Sequence, residues 1–278
     1  MRIIIIGAGP GGYETAVEAA KRGIEVTLVS EGPLGGTCLN EGCIPTKTLC
    51  HYAELIEQMT KAGALGITSV PAFDLAKIQE RKAAVVEQLQ GGVAQLMKHK
   101  LITLVEGRAR LLDARTVAVG QEQYTADHII IATGSVSASL PIPGADLPGV
   151  ITSKEMLELG EAPRRLAVIG GGVIGMEFAS FFNSIGTKVK VVEMMPKILG
   201  PMDDEISQML QGIYAKRGVE FCLRCKVTGI EGNTVVYEDP EGKVCRVSGD
   251  KILVSVGRRA NLQGYGLENL GVELALNP

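Results

Sequence analysis

The sequence has no tryptophan, and aromatic residues fill only 4% of its 278 positions, while glycine is common at 35. That profile suits an α/β nucleotide-binding chain better than a β-sandwich. Long hydrophobic runs are missing too. The longest purely aliphatic stretch, residues 3–6, is far too short to cross a bilayer. A Gly-rich turn interrupts it at once, so it also fails as a secretion signal. Neither sign of charge dominates: 28 basic side chains face 31 acidic ones. Lys and Arg are spread along the chain and leave no basic stripe for nucleic acid. What is present is 46% hydrophobic and 21% charged, enough for a real core and, at this length, for two domains. Six cysteines without a signal peptide point to a reducing cytoplasm, and to catalysis or chance before a disulfide scaffold.

One unit occurs twice. An apolar strand at residues 2–6 runs into Gly7-x-Gly9-x-x-Gly12, an Ala-rich helical stretch closes at Gly23, and a second strand, 25–30, ends at Glu31. Later, 166–169 enters Gly170-x-Gly172-x-x-Gly175, a helix runs to Gly186, and the strand 188–192 ends at Glu193. In both copies the closing glycine follows the third motif glycine by eleven residues. A lone GxGxxG is weak evidence, but strand, helix and acid in place supply its confirming context. The first glycine permits the tight turn, the second lets backbone approach a pyrophosphate, and the third lets helix pack on strand. The helix N-terminus offers unpaired N–H groups to phosphates, and the acid can accept from ribose hydroxyls. The competing reading is that these glycines are turn and cap residues only. The expected fold is α/β, with two Rossmann-like dinucleotide-binding domains of three-layer type.

Between the copies, residues 45–61 and 74–100 read as helices, with Leu75, Ile78, Val85, Val86, Leu89, Val93 and Leu96 at helical spacing. Residues 102–131 alternate in strand fashion and suggest an antiparallel meander attached to the first domain. A Pro/Gly-rich passage, 141–149, reads as the linker. The domains are placed at 1–148 and 149–265, with 266–278 starting a further segment.

Residues 35–49 read GGTCLNEGCIPTKTL. Pro45 opens a helix there, so Cys43 lies at a helix N-terminus, which favours a thiolate. Cys38 sits an irregular turn earlier, within disulfide reach if the backbone loops out. A zinc half-site or two unrelated buried cysteines remain open alternatives; zinc would need two more ligands, and only Cys50 with His51 is nearby.

With GGTCLNEGCIPTK placed just after a Rossmann unit, the chain resembles the flavoprotein disulfide reductases, the family of glutathione reductase, mercuric reductase and dihydrolipoamide dehydrogenase. The likeness extends through ATGS at 132–135, GGGVIGMEFAS at 170–180 and SVGRRAN at 255–261. The wording CLNEGCIPTK, VVEMMPKILGPMDDE at 191–205 and GLENLGVEL at 266–274 is most similar to the dihydrolipoamide dehydrogenase branch. The resemblance implies FAD in the first domain, NAD in the second, and a Cys38–Cys43 redox disulfide that passes electrons from dihydrolipoamide through the flavin to NAD. Gly7, Gly9 and Gly12 would hold the FAD pyrophosphate and Glu31 its ribose. Gly36, Thr37 and Lys47 would border the flavin, Gly107 would approach adenine, and Thr133 and Gly134 would lie along the cofactor. Gly170, Gly172 and Gly175 would face the NAD pyrophosphate, with Val227, Val256 and Gly257 lining adenine and nicotinamide. Glu193 favours NAD over NADP by its own chemistry, since a carboxylate accepts a 2′-hydroxyl and repels a 2′-phosphate.

Lys47 lies one helical turn after Cys43. Glu177 is read in the first turn of the second Rossmann helix, where the dipole favours a carboxylate. The family pairs the two across the flavin; the competing reading is two surface side chains that never meet. Partners implied by the resemblance are lipoyl domains of 2-oxoacid dehydrogenase complexes or of the glycine cleavage system, and a second copy of the chain. No metal, nucleic-acid or membrane partner is expected. Relatives continue into an interface domain that supplies a His–Glu pair, so Pro278 reads as a truncation point and turnover of this chain as uncertain. His51, His99 and His128 read as solvated or packed. Other disulfide reductases, or a nucleotide-binding module without turnover, are the alternative functions. Cys222-x-x-Cys225 lies in a run, 219–227, that reads as one strand, so positions three apart face opposite sides and ordinary strand cysteines are expected. Cys50 and Cys245 carry no motif. Ala260 stands where the family often has Pro.

Overall fold

The computed structural model describes residues 1–67 and 72–274. The end of the 266–278 segment, Pro278 included, lies outside them. Along the chain run β1 (Arg2–Ile6), α1 (Pro10–Lys21), β2 (Glu25–Ser30), α2 (Gly36–Asn40), α3 (Cys43–Ala62), α4 (Leu75–Leu96), β3 (Ile102–Glu106), β4 (Ala109–Leu111), β5 (Thr116–Val119), β6 (Glu122–Thr125), β7 (His128–Ile131) and β8 (Ser135–Ser137). There follow β9 (Val150–Ile151), α5 (Ser153–Leu157), β10 (Arg165–Ile169), α6 (Val173–Ser184), β11 (Lys188–Val192), α7 (Asp204–Lys216), β12 (Glu220–Cys222), β13 (Lys226–Glu231), β14 (Thr234–Glu238), β15 (Val244–Ser248), β16 (Lys251–Val254) and β17 (Arg258–Ala260).

The chain divides into two compact units. The first comprises Met1–Ile44, Ala84–Val136 and Arg259–Pro278; the second comprises Pro45–Ala83 and Ser137–Arg258. The chain passes between them after residues 44, 83, 136 and 258.

In the first unit β3-β2-β1-β7 form a parallel sheet, Ile3 to Ile6 of β1 pairing with Val26 to Val29 on one side and His128 to Ile131 on the other. Successive side chains of β1 take opposite faces, as a strand dictates. Ile3 and Ile5 pack with Ala16, Ala19 and Ala20 of α1, while Ile4 and Ile6 pack with Leu111, Val117 and Tyr265. Small alanines let α1 lie close on the sheet, and Pro10 starts it where a missing N–H costs nothing. The antiparallel meander is confined to β4-β5-β6. The two ends of the 102–131 stretch, β3 and β7, join the parallel sheet instead. Alternation alone cannot separate a meander strand from a sheet-edge strand, because both are half-buried.

In the second unit the sheet order is β12-β11-β10-β16-β9, all parallel. Phe178, Phe181 and Phe182 of α6 fill one face together with Leu49, Ala53 and Ile56 of α3. The other face carries Ala167, Ile169 and Val254 against Ile230 and Val235 of the antiparallel β13-β14-β15 sheet. Three sequence expectations change here. Helix α3 begins at Cys43, with Pro45 inside its first turn, where backbone N–H groups have no helical partner. Helix α6 begins at Val173, so Glu177 stands in the second turn and the first-turn dipole argument does not apply to it. The 219–227 run is two strands, β12 and β13, separated by Arg224 in the left-handed region at φ 57°.

Candidate functional site

In the first unit, the residues expected to meet one dinucleotide follow the carboxyl ends of the four parallel strands: Gly7 after β1, Glu31 after β2, Gly107 after β3, and Thr133 with Gly134 after β7. That crevice is where open α/β sheets bind ligands. Gly9 caps α1, and Gly12 lies so close to the strand that a Cβ there would fall 1.7 Å from the Gly7 carbonyl oxygen. The Gly107 N–H donates to the Ser30 carbonyl at 2.8 Å, beside Glu31.

The cysteine segment docks on the same loop. The Gly35 N–H donates to the Ala8 carbonyl at 2.9 Å, and a Cβ on Gly36 would fall 2.6 Å from the Gly9 Cα. Gly36, Thr37 and Cys38 belong to α2, whose last residue, Asn40, donates to the carbonyls of Leu34 (3.0 Å) and Gly36 (2.9 Å) and accepts from Gln90. The turn 41–42 leads to Cys43 at the first position of α3. Cys38 and Cys43 are close to each other, Cys38 half-buried and Cys43 exposed. Asn40 and Gln90 escaped the sequence reading, since no motif links positions fifty apart.

Glu31 is engaged as well. Its Oε1 accepts from Arg108 at 3.3 Å, Tyr265 Oη approaches Oε2 at 3.5 Å, and the Arg108 guanidinium lies over the Tyr265 ring, 5.5 Å from its centroid. Burial, with the Glu31 charge beside it, pushes the Tyr265 phenol up. Thr133 Oγ1 donates to the Asn261 carbonyl at 2.7 Å, and the Asn261 N–H donates to the Gly134 carbonyl at 3.0 Å.

In the second unit Gly170 follows β10, Gly172 caps α6, and a Cβ on Gly175 would fall 2.2 Å from the Gly170 carbonyl oxygen. A Cβ on Gly172 would meet nothing within 4 Å, so open space lies in front of the second motif glycine. Glu193, after β11, accepts from the Gly171 N–H at 2.5 Å and the Met195 N–H at 2.6 Å. The expected acid and glycine loop are thus bonded directly. Val256 and Gly257 follow β16, and Ser255 Oγ donates to the Gly170 carbonyl at 3.0 Å. Val227 lies on β13, half-buried against two apolar clusters.

Lys47 of α3 and Glu177 of α6 meet, Nζ to Oε1 at 2.5 Å, with Glu177 only 22% exposed. Cys50, one turn on from Lys47, has its thiol pushed up to about 11 by burial and by the Glu177 charge, with Lys47 opposing. Among the described residues, no group of three or more His, Cys, Asp or Glu is arranged to hold a metal ion, and no helix is long and apolar enough to cross a membrane.

Fold and site together define an α/β protein of two Rossmann-type units with a cysteine pair set against the first glycine loop. The sequence family described as pyridine nucleotide-disulphide oxidoreductase matches residues 1–277, and the chain belongs to that family. It is 41% identical to a dihydrolipoyl dehydrogenase of Acholeplasma laidlawii, over 98% of this chain and 82% of that protein. It is 40% identical to a dihydrolipoyl dehydrogenase of Pseudomonas aeruginosa over 98% of this chain, and spans 60% of that relative's length. Among solved structures it resembles RclA, an HOCl-induced flavoprotein disulfide reductase of Escherichia coli, with a TM-score of 0.84 and 31% identity, over 99% of this chain and 60% of that one.

Proposed function

We propose that the chain is the two-unit dinucleotide-binding part of a dihydrolipoyl dehydrogenase, oxidising protein-bound dihydrolipoamide with NAD⁺ as acceptor. FAD is assigned to the first unit, in a domain of about the first half of the chain, and NAD to the second. The observation that carries this reading is the docking of the Gly35–Gly36 turn onto the Gly7–Gly12 loop, with Cys38 and Cys43 on adjoining helices beside it.

The residues fit both groups. Positions where a Cβ would meet nothing within 4 Å, Gly134 in the first unit and Gly172 and Gly257 in the second, leave room at the carboxyl ends of the sheets. Helices α1 and α6 point unpaired N–H groups there, as pyrophosphates require. A carboxylate at Glu193 suits the free 2′-hydroxyl of NAD.

In the oxidised pair, a dihydrolipoyl thiolate attacks the Cys38 sulfur; the Cys38–Cys43 bond breaks and Cys43 leaves as thiolate. It leaves at the start of α3, the helix end whose N–H groups lack helical partners and favour a negative charge. The second substrate thiol then displaces Cys38, closing the lipoyl disulfide and leaving the protein with two thiols. Bound FAD supplies the two-electron chemistry that links this dithiol to NAD⁺. Lys47, held by Glu177, places an ammonium one turn beyond Cys43. Lipoyl domains of 2-oxoacid dehydrogenase complexes or of the glycine cleavage system are the proposed partners, with a homodimer in the cytoplasm as the working form. The likeness to RclA supports a second reading, a disulfide reductase acting on another substrate.

The test is the visible spectrum of the chain, supplied with FAD and desalted, before and after anaerobic NADH. A retained flavin that develops a long-wavelength thiolate band, lost in Cys43→Ser, is expected. A colourless protein, or a band that persists in Cys43→Ser, refutes the assignment. Lipoamide-dependent NADH formation then separates the two substrate readings.

A further inference from the structure

Three cysteines outside the first pair gather in the second unit. Cys225 is buried with Val192 and Tyr237, and Cys222 and Cys245 pack against the same cluster. Positions three apart in a regular strand face opposite sides, so their meeting needs a cause. The backbone supplies it. Along the parallel pairing of β11 with β12, Val192 sits opposite Cys222, so Glu193 sits opposite Leu223. The Glu193 N–H donates to the Cys222 carbonyl at 2.8 Å, as a regular parallel ladder requires. The Glu193 carbonyl should then accept from residue 224; it accepts from Cys225 at 2.9 Å instead, while the Arg224 N–H goes to the Met195 carbonyl at 3.1 Å. One residue is extra, a β-bulge made with Arg224 in the left-handed region. The bulge moves Cys225 onto the face of Cys222. Both flank one residue, Glu193, at a spacing of about 6.6 Å for two strand residues. Disulfides need Cβ atoms roughly 3.5–4.5 Å apart, closer than two residues on one face of a strand stand, so the pair closes only if the bulge contracts.

The surroundings suit a reactive sulfur at Cys222. Its Sγ lies 3.3 Å from Tyr237 Oη. Burial, and the bond to Cys222, push the Tyr237 phenol up, so its hydroxyl keeps its proton. Lys190, on the same face of β11 and paired with Glu220 at 3.1 Å, adds a cation within reach of Cys222 and Cys245. Cys222 is half-buried and Cys225 buried, so an oxidant meets Cys222 first.

We propose that Cys222 and Cys225 form a second redox pair, closed to a disulfide by hydrogen peroxide, and that closure weakens dinucleotide binding in the second unit by displacing Glu193. The Cys222 thiolate attacks one peroxide oxygen; the O–O bond breaks, leaving Cys222 as sulfenic acid and releasing hydroxide, which takes a proton to become water. The Cys225 thiol then attacks the sulfenic sulfur, the S–S bond forms, and a second water leaves. Two thiols and one peroxide give one disulfide and two waters. Contraction of the bulge pulls on the two hydrogen bonds that hold the Glu193 backbone, and the Glu193 carboxylate holds the Gly171 loop. This coupling rests on the assignment of NAD to the second unit.

The experiment uses the full chain with Cys38→Ser and Cys43→Ser, which removes the first pair from the count. The protein is treated with hydrogen peroxide, blocked with N-ethylmaleimide and mapped by mass spectrometry, while a second portion is titrated with NADH. Expected are a Cys222–Cys225 disulfide, NADH affinity about tenfold weaker, recovery with dithiothreitol, and no change on peroxide in a further Cys222→Ser variant. Recovery of both cysteines alkylated, or a disulfide to Cys245, overturns the pair. A Cys222–Cys225 disulfide with unchanged NADH affinity overturns the coupling. A reduced chain that binds no NADH overturns the NAD assignment, while the peptide map still decides the pair.

Discussion

Replacing Glu193 by Ala tests whether this acid holds the glycine loop as well as a ligand. Its carboxylate accepts from two backbone donors of unequal standing. Gly171 is buried, so without Glu193 its N–H has no solvent to turn to, whereas Met195 is 50% exposed and its N–H rehydrates. An orphaned buried donor costs about 1–3 kcal/mol and an exchanged one about 0.5 kcal/mol, so Glu193→Ala should lose about 2 kcal/mol. With a urea slope of about 2 kcal/mol/M, the unfolding midpoint of the second unit falls by about 1 M. Glu193→Gln keeps an acceptor for Gly171 and loses only charge, so about half that shift is expected. Circular dichroism on urea series of the three proteins reads the shifts directly. NADH titration in parallel should show weakening in both variants. A midpoint for Glu193→Ala within about 0.2 M of the parent refutes the anchoring argument, because a carboxylate serving only a ligand would leave the ligand-free fold untouched.

Two further outcomes follow from close contacts and burial. Gly12→Ala places a Cβ 1.7 Å from backbone oxygen and should abolish FAD retention after desalting, while Gly11→Ala, with nothing within 4 Å, should retain it; equal loss in both would count against the steric reading. The Cys50 thiol, raised from 9.0 to about 11 by burial first and Glu177 second, keeps its proton in the folded chain where the unfolded chain has lost it. Its contribution is therefore present below pH 9 and is lost as pH rises from 9 to about 11. Thermal melts of Cys50→Ala should show a flatter decline across that window, and superimposable pH profiles would contradict the argument.

The legible parts of this molecule are those in which a backbone requirement and a spacing coincide. Strand, glycine loop, helix and acid could be placed twice because the first and third glycines of each loop answer a local steric demand that no other residue meets. The β3 and β7 strands were not separable from the meander, because partner choice is a long-range matter and both kinds of strand alternate. Arg108 and Tyr265 reach Glu31 from 77 and 234 positions away, and no local pattern announces either. The bulge at 223–225 was illegible for a different reason. It depends on one non-glycine residue, Arg224, adopting a positive φ, and an arginine gives no sign of that in a sequence.

The two copies of the motif also differ in a way their shared spacing conceals. Glu31 is met by an exposed arginine, at side-chain exposures of 55% and 50%, and by a tyrosine hydroxyl at 3.5 Å. Such a pair is worth about 0–1 kcal/mol, so ribose hydroxyls can replace these partners at little cost. Glu193 instead spends both oxygens on backbone donors, one of them buried. A ligand there must share the acid's remaining lone pairs and cannot displace the loop without losing the site. The first acid is therefore placed to exchange partners and the second to stay fixed. This is why a distortion of the Glu193 backbone, by mutation or by closure of Cys222 on Cys225, should reach the dinucleotide, whereas loss of Arg108 should leave the first glycine loop in place.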